Sequence, residues 1–148
     1  MKFIVLCFLF FSAVGAQNSE SDAYTYSIKL YNEKFYDLAV RELNDFITRF
    51  PNSNQRAEAL FYLGKSRIEL NEAEKAVEAF KQLTLDYPKH TKAANAWFLI
   101  GDLFYKQQKF ADAATAYETV KLLYTSSSLV SKALIKASVS YEKANDLK

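Results

Sequence analysis

The chain has 148 residues, of which 50% are hydrophobic and 24% are charged, values that are ordinary for a globular protein. Its formal net charge at pH 7 is only +2, and its lysines are interspersed with acidic residues along the chain. A surface that binds phosphate groups needs clustered basic residues, so we exclude nucleic acid as a partner.

Residues 1–16 have the features of a secretory signal peptide. Lys2 supplies the positive start, residues 3–11 form an apolar segment, and Val14 and Ala16 stand at the two positions that a signal peptidase reads. This segment is far shorter than the roughly 20 apolar residues that cross a bilayer. We therefore expect cleavage after Ala16, export to the periplasm or cell envelope, and no transmembrane span in the remaining domain at 17–148.

The only cysteine of the chain, Cys7, lies inside the apolar segment of this predicted signal. A lipid-attachment cysteine would follow that segment, so we expect no lipid anchor. Cleavage would also remove the one residue capable of disulfide or thiol chemistry.

The rest of the chain is typical of helices joined by short turns, since it has few of the proline and glycine residues that separate strands. The predicted helices are Asp22–Asn32, Lys34–Arg49, Gln55–Leu70, Ala73–Asp86, Lys92–Lys106, Phe110–Leu123 and Leu129 to about Asn145. They form three pairs and an unpaired seventh helix, which we expect to cover the third pair. The stripe predicted to make that contact is Leu134, Ala137, Tyr141 and Ala144.

A repeat of 37 residues runs through these helices. Residues of three kinds recur at this spacing: residues expected to be buried, residues that form turns, and residues that cap helices. The residues that keep it are Ala39, Ala76 and Ala113; Gly64 and Gly101; Pro51 and Pro88, with Tyr124-Thr125 one step further; and Asn54, Thr91 and Ser128. The last three have side chains that accept hydrogen bonds from the free amides of a helix N-terminus, so we expect them to act as caps. Such a unit buries its apolar face against its neighbours, which predicts a solenoid.

The residues within each unit resemble the tetratricopeptide repeat (TPR), whose pattern is W-x2-L-G-x2-Y, then A-x3-F, then P. The third unit carries Trp97-x2-Ile100-Gly101-x2-Phe104 and Ala113-x3-Tyr117, and the second carries Leu63-Gly64, Ala76-x3-Phe80 and Pro88. A glycine that recurs inside a helix predicts close approach of the partner helix, with the alanines as the matching small surface. The first unit is weaker, with Ser27 at the glycine position and Leu43 at that of Phe80.

The resemblance implies an all-α, right-handed α-solenoid of three TPR helix pairs plus a C-terminal seventh helix. The units are 20–56, 57–93 and 94–130, followed by a half repeat at 131–148. Since the family's usual period is 34 residues, we place the extra residues before each first helix, as a loop and an extra leading helical turn. This longer unit is similar to repeats of bacterial cell-envelope proteins, especially the Tol-Pal system coordinator and the outer-membrane assembly lipoprotein BamD.

The TPR resemblance places a binding groove on the concave surface, which the first helix of each pair lines. The groove positions of the family correspond here to Tyr24, Ile28, Tyr31, Phe61, Lys65, Ile68, Phe98, Asp102 and Tyr105, and the seventh helix continues them with Ile135, Val139 and Glu142. This strip is aromatic and apolar, so we expect it to bind an extended peptide or an apolar helix. Helical spacing alone leaves open whether such rings lie in the groove or in the core.

No enzyme site is evident in the sequence. His90 is the only histidine and has no second metal ligand nearby in the pattern, so we interpret it as a solvated loop residue. Neither a phosphate-binding glycine loop nor the clustered basic residues of a carboxylate-binding TPR groove is present. We expect no cofactor, no metal, no catalytic residue and no small-molecule substrate.

The sequence therefore predicts a non-catalytic protein-interaction module of the bacterial cell envelope, which captures a partner peptide or helix and helps to assemble or coordinate an envelope complex. Two alternatives stay open. The chain could be a scaffold that associates with itself, or it could be the first part of a longer repeat array.

Overall fold

The computed structural model describes residues 20–146, so the predicted signal peptide and Cys7 lie outside the described residues. Seven helices follow one another in this range, joined without any strand. They are α1 over 20–32, α2 Tyr36–Arg49, α3 Arg56–Glu69, α4 Ala73–Asp86, α5 Ala93–Lys106, α6 Phe110–Leu123 and α7 Val130–Asp146. Each helix packs against the next along the chain, which confirms the all-α solenoid of three pairs and a seventh helix.

Two kinds of connection alternate along the solenoid. The turns inside the pairs occupy 33–35, 70–72 and 107–109, and their central residues, Lys34, Asn71 and Gln108, all have φ near +60°. This left-handed backbone lets the next helix fold back antiparallel. Lys34 was predicted to begin a helix, and that prediction is wrong. The turn could not be recognised from the sequence because its central position, which recurs every 37 residues, holds a different residue type each time.

The connections between pairs span 50–55, 87–92 and 124–129, and each is capped by a side chain. Ser53 accepts a hydrogen bond from the amide of Gln55 (3.0 Å), and His90 Nδ1 accepts one from the amide of Lys92 (3.2 Å). Ser127 does the same for Leu129. The predicted caps Asn54, Thr91 and Ser128 are each one residue too late and are exposed. The inserted residues thus form a capped turn rather than an extra helical turn, and His90 belongs to it.

The glycine positions are sites of close helix contact, as predicted. A Cβ built on Gly64 would lie 2.5 Å from the Phe80 ring, and one on Gly101 would lie 2.5 Å from the Tyr117 ring. The glycine therefore makes room for an aromatic ring of the second helix. Ala76 and Ala113, the predicted small surface of the second helix, are fully buried.

The core extends along the solenoid as three successive apolar clusters. One joins α1 to α4, the next joins α3 to α6, and the last joins α5, α6 and α7. In the last cluster α7 contributes small residues, Ala133 and Ala137, with Ser140 buried beside them. Of the stripe predicted for α7, Ala137 is buried and Ala144 is half-buried. Tyr141 is exposed but still reaches α6, since its hydroxyl donates a hydrogen bond to a carboxylate oxygen of Glu118 (2.7 Å). Leu134 is exposed, so the stripe is wrong at that position.

Candidate partner-binding groove

Phe61 and Phe98 belong to the core and not to an open groove. Each is 5% exposed, and each packs against the ring that faces the glycine of its own pair, Phe80 at 5.8 Å and Tyr117 at 5.4 Å between ring centroids. Lys92, just before α5, lies 5.4 Å from the centroid of the Phe61 ring, and two lysines of α7, Lys132 and Lys136, lie 5.1 and 5.5 Å from that of Phe98. The prediction that these two rings form exposed binding anchors is therefore wrong.

The first helix places its predicted groove residues at one end of the concave side. Tyr24 is half-buried, lies 5.6 Å from the Phe46 ring, and donates a hydrogen bond to a carboxylate oxygen of Glu58 (2.9 Å). Burial, and then the neighbouring Glu58 carboxylate, raise the pKa of the Tyr24 hydroxyl well above its ordinary value. Ile28 is half-buried against the same cluster. This end of the groove is thus held by internal contacts.

Tyr31 and Lys65 form the next part of the predicted strip. The Lys65 ammonium lies 5.2 Å from the centroid of the Tyr31 ring, a cation–π distance, and the Tyr31 ring meets Tyr62 edge to face at 5.0 Å. Among the described residues, the Lys65 ammonium has no carboxylate within ion-pair distance. This pair therefore presents an aromatic surface with a positive group available to a ligand.

Ile68, Asp102 and Tyr105 come together around a hollow of about 300 Å³ that the first helices α3 and α5, with α7, line. Leu99 and Leu103 complete its apolar lining, which comes from α3 and α5. Two cations, Lys106 of α5 and Lys136 of α7, stand at its rim. A smaller hollow of about 200 Å³ adjoins it, since Tyr105 and Lys136 line both. We call these two hollows together the central hollow.

Asp102 is the polar centre of this region. Its Oδ1 accepts hydrogen bonds from the Tyr117 hydroxyl (2.7 Å) and from the Lys136 ammonium (2.6 Å). Burial of Tyr117, and then its bond to Asp102, raise the pKa of the Tyr117 hydroxyl far above its usual range. The carboxylate therefore ties α5 to α6 and α7, and its charge is compensated within the protein.

The sequence reasoning missed Leu99 and Lys136. Both belong to a second series with the 37-residue step, namely Thr25, Tyr62, Leu99 and Lys136, which lies one residue after the predicted series of Tyr24, Phe61, Phe98 and Ile135. In the earlier series Phe61 and Phe98 are buried, whereas in the later one Leu99 and Lys136 line the central hollow. Both series keep the 37-residue step, so the spacing could not show which of them is buried. The burial of Phe61 and Phe98 in the structure distinguishes the two.

The central hollow offers apolar contacts together with charged groups. No group of three histidine, cysteine or carboxylate side chains among the described residues is placed to hold a metal ion. Within 20–146, no helix is both long and apolar enough to cross a membrane. An apolar hollow with a charged rim can accept an apolar side chain and orient the polar groups that flank it.

Comparison with known sequences agrees with the geometry. The antiparallel pairs and the glycine-to-ring contacts define a TPR protein, and residues 95–127 match the tetratricopeptide repeat family. Residues 16–110 match the YfiO family, described as outer membrane lipoprotein. That match spans more than half of the chain, so the protein belongs to the YfiO family, and the predicted BamD-style resemblance is confirmed. No curated protein matches the chain.

Several solved structures share the fold. PcrH from Pseudomonas aeruginosa is 14% identical with a TM-score of 0.66, covering 84% of this chain and 90% of PcrH. PcrH bound to the chaperone binding region of PopD is 12% identical with a TM-score of 0.69, and the match covers 89% of this chain and 96% of that one. The Sgt2 TPR domain from Aspergillus fumigatus is 18% identical with a TM-score of 0.69, and the match covers 86% of this chain and 82% of that domain. At these identities the likeness concerns the fold alone.

Proposed function

We propose that the protein is a non-catalytic interaction module that captures a segment of a partner protein on its concave side, with the central hollow as the main anchoring point. The observation that carries this proposal is the hollow itself, in which apolar side chains of α3 and α5 lie beneath the cations of α5 and α7. Surface hollows lined in this way suit one large apolar side chain per binding segment.

The partner segment should combine an apolar anchor with acidic flanking residues. Leu99 and Ile68 would contact the anchor, and Lys106, which lines the hollow, offers a positive group beside it. Lys65, one helical turn before Ile68 on α3 and stacked on Tyr31, offers a second. The pair of Asp102 and Lys136 is already internally compensated, so it would shape the rim and contribute little net charge. An extended peptide or a short helix both meet these requirements.

The shared fold supports groove binding as a mode of action. PcrH, a protein of the same fold, is known in complex with the chaperone binding regions of PopB and PopD. We infer a comparable arrangement for this chain, with a partner of its own, because the low identity carries no information about the ligand.

We place this activity in the bacterial cell envelope, in the assembly or coordination of an envelope complex. The family description and the predicted signal peptide at 1–16 both support that location. The exported chain should begin at Gln17, which N-terminal sequencing of the exported protein would check.

A photoreactive benzoylphenylalanine placed at Leu99 tests the capture site in cells. Leu122, on α6 and 70% exposed, provides the control position. Irradiation should give a discrete adduct with another envelope protein from position 99 and not from position 122. The variant Leu99→Glu should lose the partner on purification while Leu122→Glu retains it, with both variants folded by circular dichroism.

Three results would contradict the proposal. Equal adducts from both positions would mean that the contact is unspecific. Absence of any adduct from position 99 would remove the hollow as a capture site. An adduct with a second copy of the chain would replace partner capture by self-association.

A further inference from the structure

The outer side of α7 is an uncovered copy of a surface that the preceding helices bury. Four positions define it, at spacings of three, four and seven residues from the first. In α7 they are Ser131, Leu134, Ile135 and Ser138, and we call them the end face. All four are exposed, with Ile135 at 66% and Leu134 at 37%. One step of 37 earlier, α5 carries Ala94, Trp97, Phe98 and Gly101, which lie against the core.

The earlier copies show what this surface receives. In α3 and α5 the last of the four positions is a glycine, and an aromatic ring of the second helix lies over it. In α1 that position is Ser27, which is fully buried, and its pair helix carries Leu43 at the place of the ring. In this chain a glycine at the last of the four positions is therefore paired with an aromatic residue on the second helix, and a serine there is paired with a leucine.

The end face follows the serine form of this arrangement. The hydroxyl of Ser138 donates to the carbonyl of Leu134 (3.1 Å), as the hydroxyl of Ser27 donates to that of Ala23 (2.8 Å). Because a Cβ at the glycine position would already lie 2.5 Å from an aromatic ring, a serine there needs a smaller group. The residue that covers Ser138 should therefore be a leucine.

α7 itself supplies that leucine. Leu134 and Ser138 lie one helical turn apart on the end face, so two copies of α7 packed antiparallel can place Leu134 of each over Ser138 of the other. Ile135 of each copy would lie between these two contacts. We propose that the end face of α7 binds a second copy of this chain in a twofold, antiparallel helix pair.

Charge supports the same register. Lys132 and Glu142 lie on either side of the centre of this contact. Within 20–146 neither takes part in an ion pair, and the Lys132 ammonium, which lies 5.1 Å from the centroid of the Phe98 ring, would leave that ring to reach the second copy. Antiparallel packing centred between Leu134 and Ser138 brings Lys132 of one copy beside Glu142 of the other, at both ends. A parallel pair would instead place like charges side by side.

The interface should be weak, since one helix face buries less surface than the roughly 1,200 Å² of a standard stable interface. We expect a dissociation constant on the order of 100 µM. Sedimentation equilibrium on the chain recovered after export, over a range of concentrations around that value, should show reversible dimers. Leu134→Glu should weaken dimerisation at least about tenfold, and Leu122→Lys, at an exposed leucine elsewhere, should leave it unchanged.

A charge exchange tests the register separately from the apolar contact. Lys132→Glu should weaken the dimer roughly threefold, as expected for a surface ion pair, and adding Glu142→Lys should restore it. A chain that stays monomeric at all concentrations overturns the proposal, and so does a dimer insensitive to Leu134→Glu. A double variant that remains as weak as Lys132→Glu excludes the antiparallel register.

Discussion

α5 and α7 occupy successive places in the same repeat, and they differ in whether a following helix covers them. In α5 the ring of Phe98 lies between Tyr117 and two lysines of α7, and it is almost fully buried. In α7 the equivalent Ile135 is largely exposed. The comparison shows that the role of a residue in this solenoid depends on its neighbour, since the same position holds the fold in one helix and is exposed in the other.

The largest expected difference between the two helices concerns the free energy of unfolding. Phe98→Ala removes a buried ring and should lower it by about 3 to 5 kcal/mol. Ile135→Ala, at the same step of the repeat, should change it by less than about 0.5 kcal/mol because the side chain is exposed. Urea unfolding of both variants measures the contrast, and equal losses would mean that α7 is covered as α5 is.

A smaller difference in the free energy of unfolding is expected at the position that is glycine in α5 and serine in α7. Gly101→Leu forces a side chain into the Tyr117 ring and should reduce the free energy of unfolding by about 1 to 3 kcal/mol. Ser138→Leu adds the same side chain to the exposed face and should be nearly neutral in the monomer. The two thermal melts are best compared at micromolar concentration. An unchanged melting temperature for Gly101→Leu would disprove the close helix contact.

Much of the fold could be predicted because the repeat is visible as spacing. The predicted bounds of Ala73–Asp86 and Phe110–Leu123 coincide with α4 and α6, and the glycine contacts were expected from Gly64 and Gly101. The caps were misplaced by one residue because neighbouring polar side chains in these turns can all accept hydrogen bonds. Only the backbone of the turn selects Ser53 and His90 over the residues that follow them.

The candidate site was predicted less well, for a physical reason. A residue on the first helix of a TPR pair can face its own pair, the previous pair or the concave side, and positions one residue apart differ by about 100° around the helix. Ile68 and Tyr105 line the hollow, and their role in binding stays a prediction, whereas Phe61 and Phe98 turn inward. Leu99 was missed since nothing in its apolar type separates it from a core residue.

The 37-residue repeat gives each earlier first helix a covered face, and within residues 20–146 it leaves that of α7 open. Thiol reactivity tests it most directly, in a chain whose Cys7 is replaced by serine. Ala94→Cys and Ser131→Cys introduce a thiol at the same step of α5 and α7, with little change in volume. Their reaction with a disulfide reagent can be followed at micromolar concentration, where the proposed dimer dissociates.

We expect the thiol at position 131 to react like a free thiol. The thiol at position 94 should react at least roughly a hundredfold more slowly, because the pair must open before the reagent can reach it. Equal rates at the two positions would contradict the claim: fast reaction at both would mean that the α5 face is open, and slow reaction at both would mean that the face of α7 is covered in the monomer.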